Sequence, residues 1–175
     1  GAGLFTSERK NSIIERLQVS NLSSFQIYLA RLIPIVIVVF MGVAIAGVAS
    51  ALLLGAHWGN VLISAAIVLL TVTAATAFEM MIYEMTNSMI ATIILSFGIV
   101  WFMGYVGGYF EAYVISDMKE WVKQLSPLYH ANRSLAELSC MGHSSYVLSS
   151  IIYSLGMIVG CSGISLIIGK IRRAD

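Results

Sequence analysis

The string Gly160-Cys161-Ser162-Gly163 has the residue order of an intramembrane serine nucleophile. Such a serine attacks only when a base within hydrogen-bond reach takes its proton. His57, His130 and His143 all precede Ser162, in segments read below as lying outside the membrane, so the sequence brings no base to it. Metal chemistry lacks its ligand strings as well, because the chain has neither His-Glu-x-x-His nor Cys-x-x-Cys. A Gly-x-x-x-x-Gly-Lys-Ser/Thr loop is also absent, so any ATP must be hydrolysed elsewhere. The expectation is no catalytic residue, no metal and no cofactor. Cys140 and Cys161 are too few and too differently placed for a disulfide framework. Asn21-Leu22-Ser23 and Asn132-Arg133-Ser134 fit a glycosylation string, but three-residue matches are frequent by chance.

The elements that carry these residues are set by charge. From Leu32 to Phe78 there is no Asp, Glu, Lys or Arg, and the same holds from Met85 to Phe110 and from Leu138 to Gly169. A globular helix needs a wet face, and these runs offer none. With 58% hydrophobic and 11% charged residues, the 175-residue chain falls in the membrane class. Its formal net charge of +1 leaves no nucleic-acid footprint. A bilayer core of about 30 Å requires on the order of 20 apolar helical residues. The expected fold is therefore an all-α polytopic membrane helix bundle, one domain over 1–175, with spans at 33–55, 61–83, 88–110 and 146–169. Ala56-His57-Trp58-Gly59-Asn60 suits a tight turn at headgroup level.

Around the spans lie two polar segments. Residues 7–31 read as two short amphipathic helices meeting at a bend near Ser20-Asn21, with an N-cap offered by Ser23-Ser24. Spacing alone is satisfied by a helix resting on headgroups. The segment 111–142 carries Trp121, Val122, Leu125, Leu128 and Tyr129 among charges, a pattern for short outer interfacial helices broken at Ser126-Pro127. Glu79 and Glu84 lie near the end of the second span, where Glu79 is expected to reach water or a neighbouring cation. Gly104 and Gly108, and Gly156, Gly160 and Gly163, form small-xxx-small faces that suit helix packing, within the chain or between protomers.

Orientation follows from the basic residues. Arg9, Lys10, Arg16 and Arg31 precede the first span and Lys170, Arg172 and Arg173 follow the last, whereas Lys119, Lys123 and Arg133 fall on the opposite side. The positive-inside rule then places both termini in the cytoplasm, in the cell membrane. The opening Gly-Ala-Gly-Leu-Phe has neither a starting Met nor the features of a signal peptide, which suggests a piece of something longer.

The run from Ser7 to Pro34, with Glu15-Arg16-Leu17-Gln18-Val19-Ser20 at its centre and Arg31 ahead of Leu32-Ile33-Pro34, resembles a signature of ABC-2 type transporter permeases. Leu125-Ser126-Pro127-Leu128-Tyr129-His130-Ala131 is similar to the Leu-x-Pro-x-x-x-Ala element that the family places outside the membrane before its last span. Gly107-Gly108 and Gly169-Lys170-Ile171-Arg172-Arg173 fit as well. The resemblance implies the C-terminal part of a permease, spans three to six of six. It also implies a separate ATP-hydrolysing subunit as partner, and a second permease half or protomer enclosing an export route in the lipid bilayer. Glu8, Arg9, Glu15, Arg16, Leu17, Val19 and Ser20 are, by the same resemblance, the residues that couple to that subunit. Substrate-path residues are not fixed by motif, and the substrate is unknown. A reading from another class is a small non-ATP membrane protein, an interaction, immunity or assembly factor, that uses its packing faces only for helix contacts.

Overall fold

The computed structural model describes residues 23–107 and 119–174. The residues expected to couple to a partner, between Glu8 and Ser20, lie outside them together with Gly108. Among the described residues six helices follow in order: α1 (Ser24–Leu54), α2 (Val61–Thr86), α3 (Met89–Val106), α4 (Glu120–Lys123), α5 (Pro127–Met141) and α6 (Val147–Ala174). No strand occurs among the described residues. α1, α2, α3 and α6 are each long and apolar enough to cross a membrane. Even the shortest, with 18 residues, reaches about 27 Å at 1.5 Å per residue.

The first three helices start where the sequence can satisfy free N–H groups. Ser23 caps α1 with a reciprocal pair: its Oγ accepts from the Gln26 N–H at 3.2 Å, and Gln26 Oε1 accepts from the Ser23 N–H at 2.9 Å. Asn60 and Ser88 cap α2 and α3 with one bond each, accepting from the Ile63 and Ala91 N–H groups. Pro127 opens α5, where its missing N–H costs nothing. Along α2 the hydroxyls of Thr71, Thr73, Thr76 and Thr86 donate to the carbonyl four residues earlier, which satisfies them without water.

The Ser23 cap moves one boundary. Instead of a short helix at a bend followed by a span from Ile33, residues 24–54 form one continuous helix that runs through Pro34. Its first turns do not lie on a headgroup surface, because Ile27, Tyr28, Leu32 and Ile35 are buried against the bundle. Beyond Ile35, α1 is largely exposed, as a lipid-facing helix should be.

α2 is the central helix. It touches α1, α3, α5 and α6, most extensively α6. The buried residues of α6 are Ser150, Ser154, Cys161 and Ser165, at intervals of four, seven and four residues and so on one face. Small side chains on that face allow close backbone approach, which drives association in lipid.

The turn between α1 and α2 is fixed just as closely. Gly55 ends α1 with φ 65°, and Gly59 has φ 58°. Ser64 Oγ donates to the Trp58 carbonyl at 2.8 Å, and the Trp58 indole N–H donates to the Gly47 carbonyl at 3.2 Å. A Cβ on Gly59 would overlap the Leu138 carbonyl of α5, whereas one on Gly55 would meet open space. Gly55→Ala should therefore cost only the left-handed strain of about 1–2 kcal/mol. Gly59→Ala adds a clash to the same strain and should unfold at clearly lower temperature in detergent. Equal melting temperatures for the two variants would contradict the docking of this turn on α5.

Candidate functional site: a bundle tied at both ends

At the end of the bundle that carries the α1 N-terminus, side chains from three spans converge. Arg31 Nη1 lies 3.3 Å from Glu84 Oε1, in a salt bridge whose side chains are only 13% and 18% exposed. Tyr28 Oη and Ser162 Oγ are hydrogen-bonded at 2.7 Å, joining α1 to α6. Beneath them Tyr28, Leu32 and Ile35 share one apolar cluster with Phe78, Tyr83 and Cys161. Of the two routes expected for Glu79, water or a neighbouring cation, the Arg31 cation goes instead to Glu84, about 7.5 Å farther along α2. Glu79 is half-buried and makes no hydrogen bond or ion pair among the described residues.

The opposite end is tied by α5, which does more than lie on a surface. Its face of Tyr129, His130, Ala131, Ser134 and Leu138 is buried, while Arg133 on the other side is exposed. Ala131 and Leu138 pack on Ile67, two turns into α2. The His130 ring stacks on Tyr153 of α6, with centroids 4.1 Å apart and planes at 18°. Ser126 Oγ donates to the Met103 carbonyl of α3 at 2.9 Å, and Ser139 Oγ donates to the His57 carbonyl of the α1–α2 turn. Glu137 accepts from Arg133 Nε at 3.2 Å and from Ser144 Oγ at 2.9 Å, which knits α5 to the start of α6. One 15-residue helix thus binds three spans and the α1–α2 turn at this end. Its aromatic and small-residue face packs against α2 and α6, so the bundle itself holds this amphipathic helix.

Tyr129 donates to Glu120 on α4. Burial pushes its phenol above the ordinary tyrosine range, and the neighbouring Glu120 and Tyr146 push the same way.

Between the ends lies an apolar cleft of about 500 Å³, reached by Phe78, Met81, Met103, Tyr153, Met157 and Cys161. Gly156 and Gly160 also line it, and a Cβ at Gly156, Gly160 or Gly163 would meet no atom within 4 Å. Within the described residues, then, α6 packs through its serine and cysteine face and not through these glycines. Gly104 is buried in α3. Sequence reading missed the serine face because it looked for glycine, although Ser150-x-x-x-Ser154 and Cys161-x-x-x-Ser165 carry the same small-residue spacing. Ser162 is held by Tyr28, not by a base, and no cluster of metal-ligating side chains exists among the described residues. Cys140 and Cys161 are free thiols, one exposed and one buried.

Four lipid-length helices tied at both ends define a multi-pass membrane protein. Residues 1–139 match the family model of the ABC-2 type transporter, and the chain belongs to that family. Comparison with curated proteins and with solved structures gives no match. Family membership makes the chain a membrane component, a permease, of ABC-type transport.

The raised Tyr129 pKa has a definite pH signature. Raising it favours the neutral phenol, so its hydrogen bond to Glu120 contributes fully below about pH 10 and is lost only as pH climbs through the higher folded value. An ultraviolet titration of Tyr129→Phe against the parent should differ only above the ordinary tyrosine range. A missing phenolate step at about pH 10 would contradict this environment.

Proposed function

We propose that this chain is the C-terminal, four-span part of an exporter permease, driven by a separate ATP-hydrolysing subunit and working with a second permease half or protomer in the cell membrane. The observation that carries the reading is the family match, which runs from the lead-in through three spans and α5. The chain lacks a phosphate-binding loop, which agrees with energy supplied by a partner. Transport then requires that the partner's nucleotide state favour one permease conformation over another.

In this reading Glu8, Arg9, Glu15, Arg16, Leu17, Val19 and Ser20 dock on the ATPase subunit. The open glycine face of α6 (Gly156, Gly160 and Gly163) is a surface for another helix, since small residues there leave room for a neighbouring backbone. Both termini of the chain lie in the cytoplasm, and α5 closes the external end.

Two measurements test the proposal. Arg16→Glu should abolish co-purification with the ATPase subunit, or the stimulation of its ATP hydrolysis in reconstituted vesicles, while leaving membrane insertion intact. If the lead-in merely rests on lipid, the change costs only about 1 kcal/mol of attraction to anionic headgroups, and ATP hydrolysis stays normal. For orientation, cysteines replacing Lys123 and Lys170 in a chain freed of Cys140 and Cys161 should react with an impermeant maleimide from opposite sides of the membrane. Labelling of both from one side would overturn the assigned topology.

A further inference from the structure

α1 is anchored unevenly. Its four buried residues, Ile27, Tyr28, Leu32 and Ile35, all lie within its first twelve positions. Two polar ties from α1 to other helices, Tyr28 to Ser162 and Arg31 to Glu84, fall in the same turns. Directly beyond them stands Pro34, which has no N–H to give to the Ala30 carbonyl and whose ring crowds that carbonyl. The helix is weakest there. Farther along, α1 and α2 flank a second apolar cleft of about 330 Å³, reached by Phe40, Ala44, Ala51, Ala65 and Val68. Its far end is closed by the Trp58 indole on Gly47.

A displacement arriving at Ser24 therefore meets a rigid side route and a soft forward one. Forward along α1 it must cross a proline and a stretch with an open cleft at its side. Sideways it meets an ion pair, a hydrogen bond and a shared apolar cluster, which lead straight into α2 and α6.

We propose that Tyr28, Arg31 and Glu84 are positioning residues for transport. They lock the start of α1 to the end of α2 and to the middle of α6, so that motion of the preceding coupling segment turns these three helices as one body. The proposal rests on the reading of that segment as the ATPase-docking element. Ser162 completes the lock as the partner of Tyr28 and has no nucleophilic task. Polar pairing suits this role because an ion pair shielded from water at a helix end is directional, whereas apolar contacts alone allow slippage.

The test needs no substrate. Spin labels are placed on exposed positions of the full permease held with its ATPase subunit in nanodiscs, in a chain freed of Cys140 and Cys161. One pair is at Phe25 and Ile171, the other at Leu54 and Leu148. ATP with vanadate is the probe. In the parent, nucleotide should leave the Phe25–Ile171 distance fixed and populate a second distance between Leu54 and Leu148. Arg31→Glu should lower that population at least about five-fold, the smaller end of ordinary coupling between sites. The exchange Arg31→Glu with Glu84→Arg should restore it. Tyr28→Phe keeps the ring in its apolar cluster and should lose part of the response at unchanged thermal stability.

A full response in both Arg31→Glu and Tyr28→Phe overturns the lock, as does a charge exchange no better than the single reversal. A parent without any nucleotide response at the Leu54–Leu148 pair overturns it too. Arg16→Glu, measured in parallel, separates the two ideas. If Arg16→Glu responds normally and Arg31→Glu does not, the docking residues are wrong and the lock stands. If Arg16→Glu is silent and Arg31→Glu responds, the lock alone is wrong.

Discussion

The contact on which the bundle depends is the close pairing of α2 with α6. Lipid tails are as apolar as leucine, so two spans gain nothing by hiding apolar surface from them. What holds them is van der Waals contact at short range, and that requires small side chains where the backbones meet. Ser150, Ser154, Cys161 and Ser165 supply this on α6. α2, already the neighbour of α1, α3 and α5, then places those three elements around the pair. The serines cost little in this position, because a helical serine can return its hydroxyl to its own backbone, as the α2 threonines do.

From that pairing the two ends take different characters. One is closed by charge and hydroxyl pairs, Arg31 with Glu84 and Tyr28 with Ser162, over an apolar cluster drawn from three spans. The other is closed by a helix that is not a span: α5 reaches α2, α3, α6 and the α1–α2 turn through one buried face. The middle of the bundle is apolar, with clefts lined by methionine, alanine and glycine in place of charge. A machine that must change conformation benefits from this division, since polar ties have discrete made and broken states while apolar clefts accommodate intermediate positions. Methionine in particular fills irregular space without demanding one packing.

Much of this was legible in the chain. The charge-free runs define four membrane-length helices because lipid admits no unpaired backbone and no solvated face, and that constraint is readable residue by residue. Ser23, Asn60, Ser88 and Pro127 mark helix starts for equally local reasons, since a cap bonds only within its own turn. Family kinship was legible in the ordered string before the first span.

Partners across the bundle were decided by tertiary structure alone. Tyr28 and Ser162 are 134 positions apart, and no local rule joins them. Glu84 and not Glu79 meets Arg31 because of how α1 leans on α2, a quantity set by packing and not by hydropathy. The glycines of α6 offered the strongest packing pattern on paper, yet the serine face is the buried one. Periodicity shows which residues share a face, but lipid and protein are so alike in polarity that it cannot say which face meets which.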